Sequence, residues 1–109
     1  MVSRRAARVR AQATIDVGFV SGNDKFTAPL LDFSPFGLSV KTSREVKTGT
    51  IFKLGVRSGN DCFRAAAIVR ALIPSGFAVE FLSMNPTDRE LMRRHYGRMQ
   101  MAARAAKTG

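Results

Sequence analysis

Residues 30–40 read LLDFSPFGLSV, with apolar runs on both sides of a short connection. Within that connection, the order Ser34-Pro35-Phe36-Gly37 fits a type I turn with proline second and glycine fourth. Asp32 and Ser34 are two residues apart, so in an extended segment their side chains face the same way. Taken alone, the segment is better explained as a local turn, in which both side chains satisfy nearby amides.

Period-two alternation continues on both sides of this connection and predicts strands. Two copies of Ser-Gly-Asn-Asp, at 21–24 and 58–61, are typical of hairpin turns. The predicted strands are 15–19, 26–30, 38–40, 51–56, 62–72 and 77–81. From this pattern alone we expect a small antiparallel barrel or a sandwich.

The period changes to that of a helix after residue 84. Asn85 is a good N-cap, Pro86 suits the first helical position, and Asp88 places an acid in the first turn. Apolar residues then recur at helical spacing as far as Ala103. We therefore expect one domain, with β strands over 13–83 and a C-terminal helix over 84–106.

The charge of +10 is concentrated at the two ends of the chain. Residues 1–12 hold four arginines and no acid, whereas 13–81 carry a net charge of +2 and 82–109 one of +4. The four arginines are Arg4, Arg5, Arg8 and Arg10. Arginine binds phosphate and the guanine edge through a planar fork. Residues 1–12 are therefore predicted to be a flexible basic arm with a phosphate-bearing partner.

Composition narrows the classes of function. The lone Cys62 excludes an internal disulfide, and one His with one Cys cannot build a zinc site from soft ligands. The chain has no run of 18 apolar residues and no secretory signal, so we expect a cytoplasmic protein without a membrane span. No triad, paired-carboxylate or phosphate-loop pattern is present, and both Cys62 and His95 are interpreted as structural. We do not expect an enzyme, a cofactor or a metal.

Two segments together resemble a known family. Arg4-Arg5-Ala6-Ala7-Arg8 is followed about two dozen residues later by Asp32-Phe33-Ser34-Pro35-Phe36-Gly37. This order resembles the RxxxR and [D/N]xSxxG motifs of the PilZ domain family. Val69-Arg70 and Gly76-Phe77-Ala78-Val79-Glu80-Phe81 also resemble the late strands of that family. The resemblance covers most of residues 4–82. It departs from the family at Ala6 and Ala7, where many members carry an aromatic residue or a proline.

The resemblance implies a six-stranded antiparallel β-barrel with a C-terminal helix that binds cyclic di-GMP, a bacterial second messenger. The resemblance further implies that Arg4 and Arg8 would bind phosphates and guanines, and that Asp32 would accept hydrogen bonds from the N1 and N2 side of guanine. Ser34 would bond to the base or a phosphate, and Gly37 would leave room for the base. Arg10 and Arg5 are further candidates. In an extended arm, Arg10 shares a side with Arg4 and Arg8, while Arg5 faces away.

We expect the ligand to order the arm over the barrel and so create a surface for an unidentified effector protein. Two alternatives remain. One is a PilZ-like adaptor that docks proteins without nucleotide. The other is a basic barrel that binds nucleic acid, which the charge permits. One tyrosine, no tryptophan and phenylalanines in core alternation leave few stacking platforms for a polynucleotide. The pathway and the choice between a monomer and a weak dimer stay open.

Overall fold

The computed structural model describes residues 7–108, so Arg4 and Arg5 lie outside the described residues. The elements in chain order are β1 (Val9–Arg10), β2 (Asp16–Ser21), β3 (Asp24–Ser34), β4 (Gly37–Lys41), β5 (Ile51–Ser58), β6 (Asp61–Ile73), β7 (Gly76–Ser83) and α1 (Pro86–Thr108). The prediction of a mainly β chain with a C-terminal helix is confirmed. The division of the chain at residues 12 and 83 remains a prediction.

The sheet closes on itself. Strands follow the order β1-β3-β2-β5-β6-β7-β4, every pairing is antiparallel, and β4 also pairs with β3. Strands β2 to β7 therefore form the expected six-stranded barrel. Strand β1 is additional and continues the edge of β3 beyond the end of β2, because Val9 is opposite Phe33 while Asp16 is opposite Pro29. The sequence did not predict this strand, since its single apolar residue lies among arginines.

Aromatic rings fill the barrel in two groups. The first group is centred on Phe19, whose ring stacks on Phe26 at a centroid distance of 5.0 Å and meets the edges of its other neighbours. The second comprises Phe33, Phe63, Phe81, His95 and Tyr96. Because His95 and Tyr96 belong to α1, the helix completes the core at its own end of the barrel.

The start of α1 is fixed by two acceptors. The Asn85 side-chain oxygen accepts the Asp88 amide at 2.7 Å, which is the N-cap expected from the sequence. The Asp88 carboxylate then accepts the backbone amide of Arg64 in β6 at 3.1 Å. The first turn of the helix is thereby attached to the barrel wall.

Glycine is required where β4 and β7 approach each other. A Cβ atom on Gly37 would lie 2.1 Å from the carbonyl oxygen of Val79, and one on Gly76 would lie 2.0 Å from that of Val40. Both are far inside van der Waals contact. Gly18, on the outer face of β2, has nothing within 4 Å of the equivalent position.

We expect Gly37→Ala to lower the free energy of unfolding by about 2 kcal/mol or more, because the backbone of β7 must move to admit the methyl group. Gly18→Ala is the matched control and should change stability by less than about 0.5 kcal/mol. Urea unfolding of both variants measures the difference. Equal stability of the two variants would contradict the close approach.

His95 is buried, with 2% of its surface exposed, and its ring meets Phe33 and Phe63 edge-on. Burial lowers the pKa of His95 from its usual value of 6.5, and the nearby Arg98 lowers it further, while Asp61 opposes the shift. The imidazole is therefore held neutral inside the fold. This agrees with the structural role inferred from the sequence.

This shift predicts a pH dependence of stability. Because the unfolded chain takes up the proton more readily than the folded chain, the free energy of unfolding should fall as the pH drops below about 6.5. Chemical unfolding between pH 7.5 and 5.5 measures the slope, with His95→Gln as the comparison. The variant should lose part of the slope, and identical slopes would contradict a neutral buried His95.

The helix among residues 7–108 is not long and apolar enough to cross a membrane.

Candidate functional site

The pairing of β1 with β3 brings the basic segment next to the polar connection. Arg10 is opposite Asp32, and the Ala11 amide donates to the Leu31 carbonyl at 2.9 Å. Val9 is buried in the core. Because side chains alternate along a strand, Arg8 and Arg10 on either side of Val9 both point outward. Two segments that are more than twenty residues apart in sequence thus share one outer face.

On this face Arg8 and Asp32 form an ion pair. Arg8 Nη1 lies 2.8 Å from Asp32 Oδ1, and the two side chains keep 48% and 30% of their surface exposed. An ion pair this exposed contributes at most about 1 kcal/mol to folding. Its stabilisation is small enough for a competing anion and a hydrogen-bond donor to replace it.

Arg10 lies on the same face, across the strand pair from Asp32, and is exposed. Its backbone carbonyl accepts a hydrogen bond from the Gln12 side-chain amide at 3.3 Å. Arg10 therefore shares a side with Arg8, as an extended arm requires.

Ser34 is buried and serves the turn that follows it. Its hydroxyl oxygen accepts the Phe36 amide at 3.1 Å, and the hydroxyl lies 3.5 Å from the Gly37 carbonyl oxygen. The local-turn interpretation thus describes Ser34. It does not describe Asp32, whose carboxylate contacts the distant Arg8 instead of a nearby amide.

Gly37 is paired with Ser34 across the turn and with Glu80 of β7. A Cβ atom at this position would collide with the backbone of Val79, so strand packing alone requires glycine here. The position therefore carries a structural constraint whether or not a ligand approaches it.

A family model describes both the barrel and the arm. The model of the PilZ domain matches residues 3–98, which is most of the chain.

The chain belongs to the PilZ domain family.

Solved structures show the same fold. The PilZ domain of YcgR from Escherichia coli, solved with c-di-GMP, has a TM-score of 0.77 and 18% identity, covering 96% of this chain and 97% of that one. The inhibitor of motility MotI/DgrA of Bacillus subtilis has a TM-score of 0.73 and 17% identity, covering 90% of this chain. An uncharacterized Legionella protein has a TM-score of 0.57 and 11% identity, covering 89% of this chain and 97% of that one.

The chain spans about half the length of the Bacillus protein, 52%. No curated protein matches it by sequence.

Tyr96 makes contacts in this PilZ domain that were not predicted from the sequence. Its hydroxyl donates to the Ala7 carbonyl at 2.5 Å and accepts from the Gln100 side chain at 3.3 Å. Its ring lies 5.9 Å from that of Phe33, the residue between Asp32 and Ser34. The helix therefore contacts both segments of the site. The signal in the sequence was a single tyrosine on the apolar side of a helix, because a buried hydroxyl needs a partner.

Ser39 was also missed. It is opposite Asp32 in the pairing of β3 with β4, and only 4% of its surface is exposed. Its hydroxyl has no hydrogen-bond partner among the residues that the structure describes. This buried hydroxyl therefore places a polar group beneath the surface beside Asp32. Nothing in the alternation of β4 distinguishes it from an ordinary strand serine.

Metal ligands are not grouped in the described part of the chain. Across residues 7–108, no three His, Cys, Asp or Glu side chains lie close enough to hold an ion.

We expect Tyr96→Phe to loosen the segment before β1, because only the hydroxyl that holds Ala7 is removed. The Ala11 amide, bonded to Leu31 in β3, is the reporter and should exchange its hydrogen faster. The Val69 amide, bonded to the Thr50 carbonyl at 2.9 Å on another part of the barrel, is the internal control. Unchanged exchange at Ala11, measured by NMR, would contradict the anchoring role of Tyr96.

Proposed function

We propose that this PilZ domain is a receptor for cyclic di-GMP that signals through contacts with another protein. The observation that carries the proposal is the 2.8 Å contact between Arg8 and Asp32. It joins the RxxxR segment and the [D/N]xSxxG segment on one exposed face. The proposal gives Arg8 and Asp32 the central ligand contacts, with Arg10 beside them.

The chemistry of the two groups suits this ligand. A guanidinium binds phosphate oxygens and the O6 and N7 edge of guanine, and a carboxylate accepts hydrogen bonds from its N1 and N2 side. Cyclic di-GMP offers both kinds of group in one molecule. A simple phosphate ligand would use Arg8 and leave Asp32 as a repelling charge. The presence of both groups on one face therefore favours a guanine nucleotide over a plain anion.

The remaining candidates have smaller proposed roles. Arg4 and Arg5 lie outside the described residues, and Arg4 stays a proposed ligand contact from the family resemblance. Ser34 is proposed to hold the turn that presents Asp32, with a direct bond to the ligand after its hydroxyl rotates. Gly37 is proposed to leave room for the guanine base, in addition to its role in strand packing.

The proposed mechanism starts from a site that is occupied by its own residues. Without ligand, Arg8 and Asp32 neutralise each other. The nucleotide replaces this single contact with separate contacts to each group, and its phosphates reduce the repulsion among the arginines of the arm. Because β1 already pairs with β3, the step that remains is closure of the arm ahead of β1, and the new surface then meets the effector. Hydrogen exchange in residues 4–10 should slow when the ligand saturates the protein.

We further propose a binding and adaptor role without catalysis. A bacterial second messenger is an intracellular signal, so the proposed location is the cytoplasm.

Calorimetry at physiological salt tests the receptor function. We expect the unaltered protein to bind cyclic di-GMP and Arg8→Ala to weaken binding by about tenfold or more, the usual effect of losing a charged hydrogen bond. The matched control is Arg44→Ala, which removes a similarly exposed arginine that forms an ion pair with Asp24. It should bind as the unaltered protein does.

Three outcomes would contradict the receptor proposal. No binding by any of the three proteins leaves the nucleotide-independent adaptor. Equal weakening by Arg8→Ala and Arg44→Ala indicates an effect of net charge alone. Preference for a polynucleotide, with affinity that falls steeply as salt rises, indicates the nucleic-acid-binding barrel.

A further inference from the structure

The last turns of α1 face the arginines of the arm across a cleft. A cleft of about 490 Å³ lies between residues 7–12 and the last turns of α1, lined by Arg8, Arg10, Gln12, Gln100, Ala103 and Arg104, among others. Its volume falls in the range of small-molecule sites, about 300–1,000 Å³. No role was predicted from the sequence for this part of the helix.

The two walls of the cleft are joined by a defined contact. Tyr96 bonds to Ala7 at 2.5 Å, and Gln100 bonds to Tyr96 one helical turn later. Residues 96, 100, 103 and 104 lie on one side of the helix, because positions three and four apart are neighbours. The helix therefore runs alongside the segment that carries Arg8, and Ala103 leaves room between the two walls.

The charge of the cleft is one-sided. Arg8 and Arg10 contribute two guanidinium groups from the arm, and Arg104 contributes a third from the helix. None of the described residues that line it is acidic. Clefts of a single sign raise the local concentration of the opposite ion. The amides of Gln12 and Gln100 add neutral hydrogen-bonding groups to the two walls.

Arg8 connects this cleft to the face that carries Asp32, because it lines the one and forms an ion pair in the other. A ligand bound by Arg8 can therefore extend in both directions. We propose that Arg104 binds a phosphate of the same cyclic dinucleotide, and that Gln100 lines the adjoining ribose or base. This inference rests on the proposed function and adds a helical wall to that site.

The partial charge at the end of the helix backbone disfavours a phosphate in this cleft, so binding there depends on the Arg104 side chain. The end of α1 at Thr108 carries the partial negative charge of its free carbonyl groups, which disfavours a nearby phosphate. The Arg104 side chain lines the cleft in these last turns, and its positive charge can compensate there. Loss of the Arg104 side chain should therefore weaken ligand binding more than the loss of an arginine elsewhere on the helix.

The test is calorimetry of the full chain with cyclic di-GMP at physiological salt. Arg104→Ala should weaken binding by about tenfold. Arg94→Ala is the matched control, because Arg94 is exposed on the same helix but lies in a separate groove with Glu90. It should weaken binding by less than about twofold, since screening limits charges that do not touch the ligand. Urea unfolding of each variant verifies that the fold is kept.

The outcomes separate this inference from the receptor function. If Arg8→Ala loses affinity while Arg104→Ala matches Arg94→Ala, the receptor function stands and the helical wall is refuted. If the unaltered protein does not bind, both are refuted. If Arg104→Ala unfolds, Arg104→Gln replaces it. Unchanged affinity in that folded variant would equally refute the contact.

Discussion

The pairing of Val9 and Arg10 with Phe33 and Asp32 is the contact on which the rest of the site depends. It is only two residues long. It nevertheless sets which side chains of the arm point into the core and which point to solvent. Val9 becomes part of the core, and Arg8 consequently reaches Asp32. A shift of one residue in this register would turn both arginines inward and remove the site.

The same strand joins the site to the core. Phe33 lies between Asp32 and Ser34 in sequence, and its ring packs against the aromatic group that α1 completes. The exposed face therefore rests on a rigid support, while the arm is attached to the helix by the Tyr96 bond to Ala7. Under the proposed function, a ligand that contacts Arg8 would act on a segment already connected to α1. This arrangement gives the helix a physical route to respond to binding.

The sequence was sufficient for most of the fold. Alternation and turn residues predicted the six barrel strands, and Asn85, Pro86 and Asp88 predicted where the helix begins. Strand β1 was not predicted because a single buried valine among arginines shows no alternation of apolar and polar residues. The two site segments were recognised by their order and spacing. Their contact depends on a register across more than twenty residues, which local patterns do not specify. Tyr96 was missed for the same reason, since its partner Ala7 is distant in sequence.

The central claim is that Arg8 and Asp32 act on one nucleotide, and NMR tests it most directly. The isotope-labelled protein is titrated with cyclic di-GMP, and the amide and arginine side-chain signals are followed. We predict large shifts for residues 7–10 and 32–37, including the Arg8 side chain, and small shifts around Asp24 and Arg44 at the distant ion pair. Shifts centred elsewhere on the barrel or on the first turns of α1, or no shift at saturating ligand, would contradict the account.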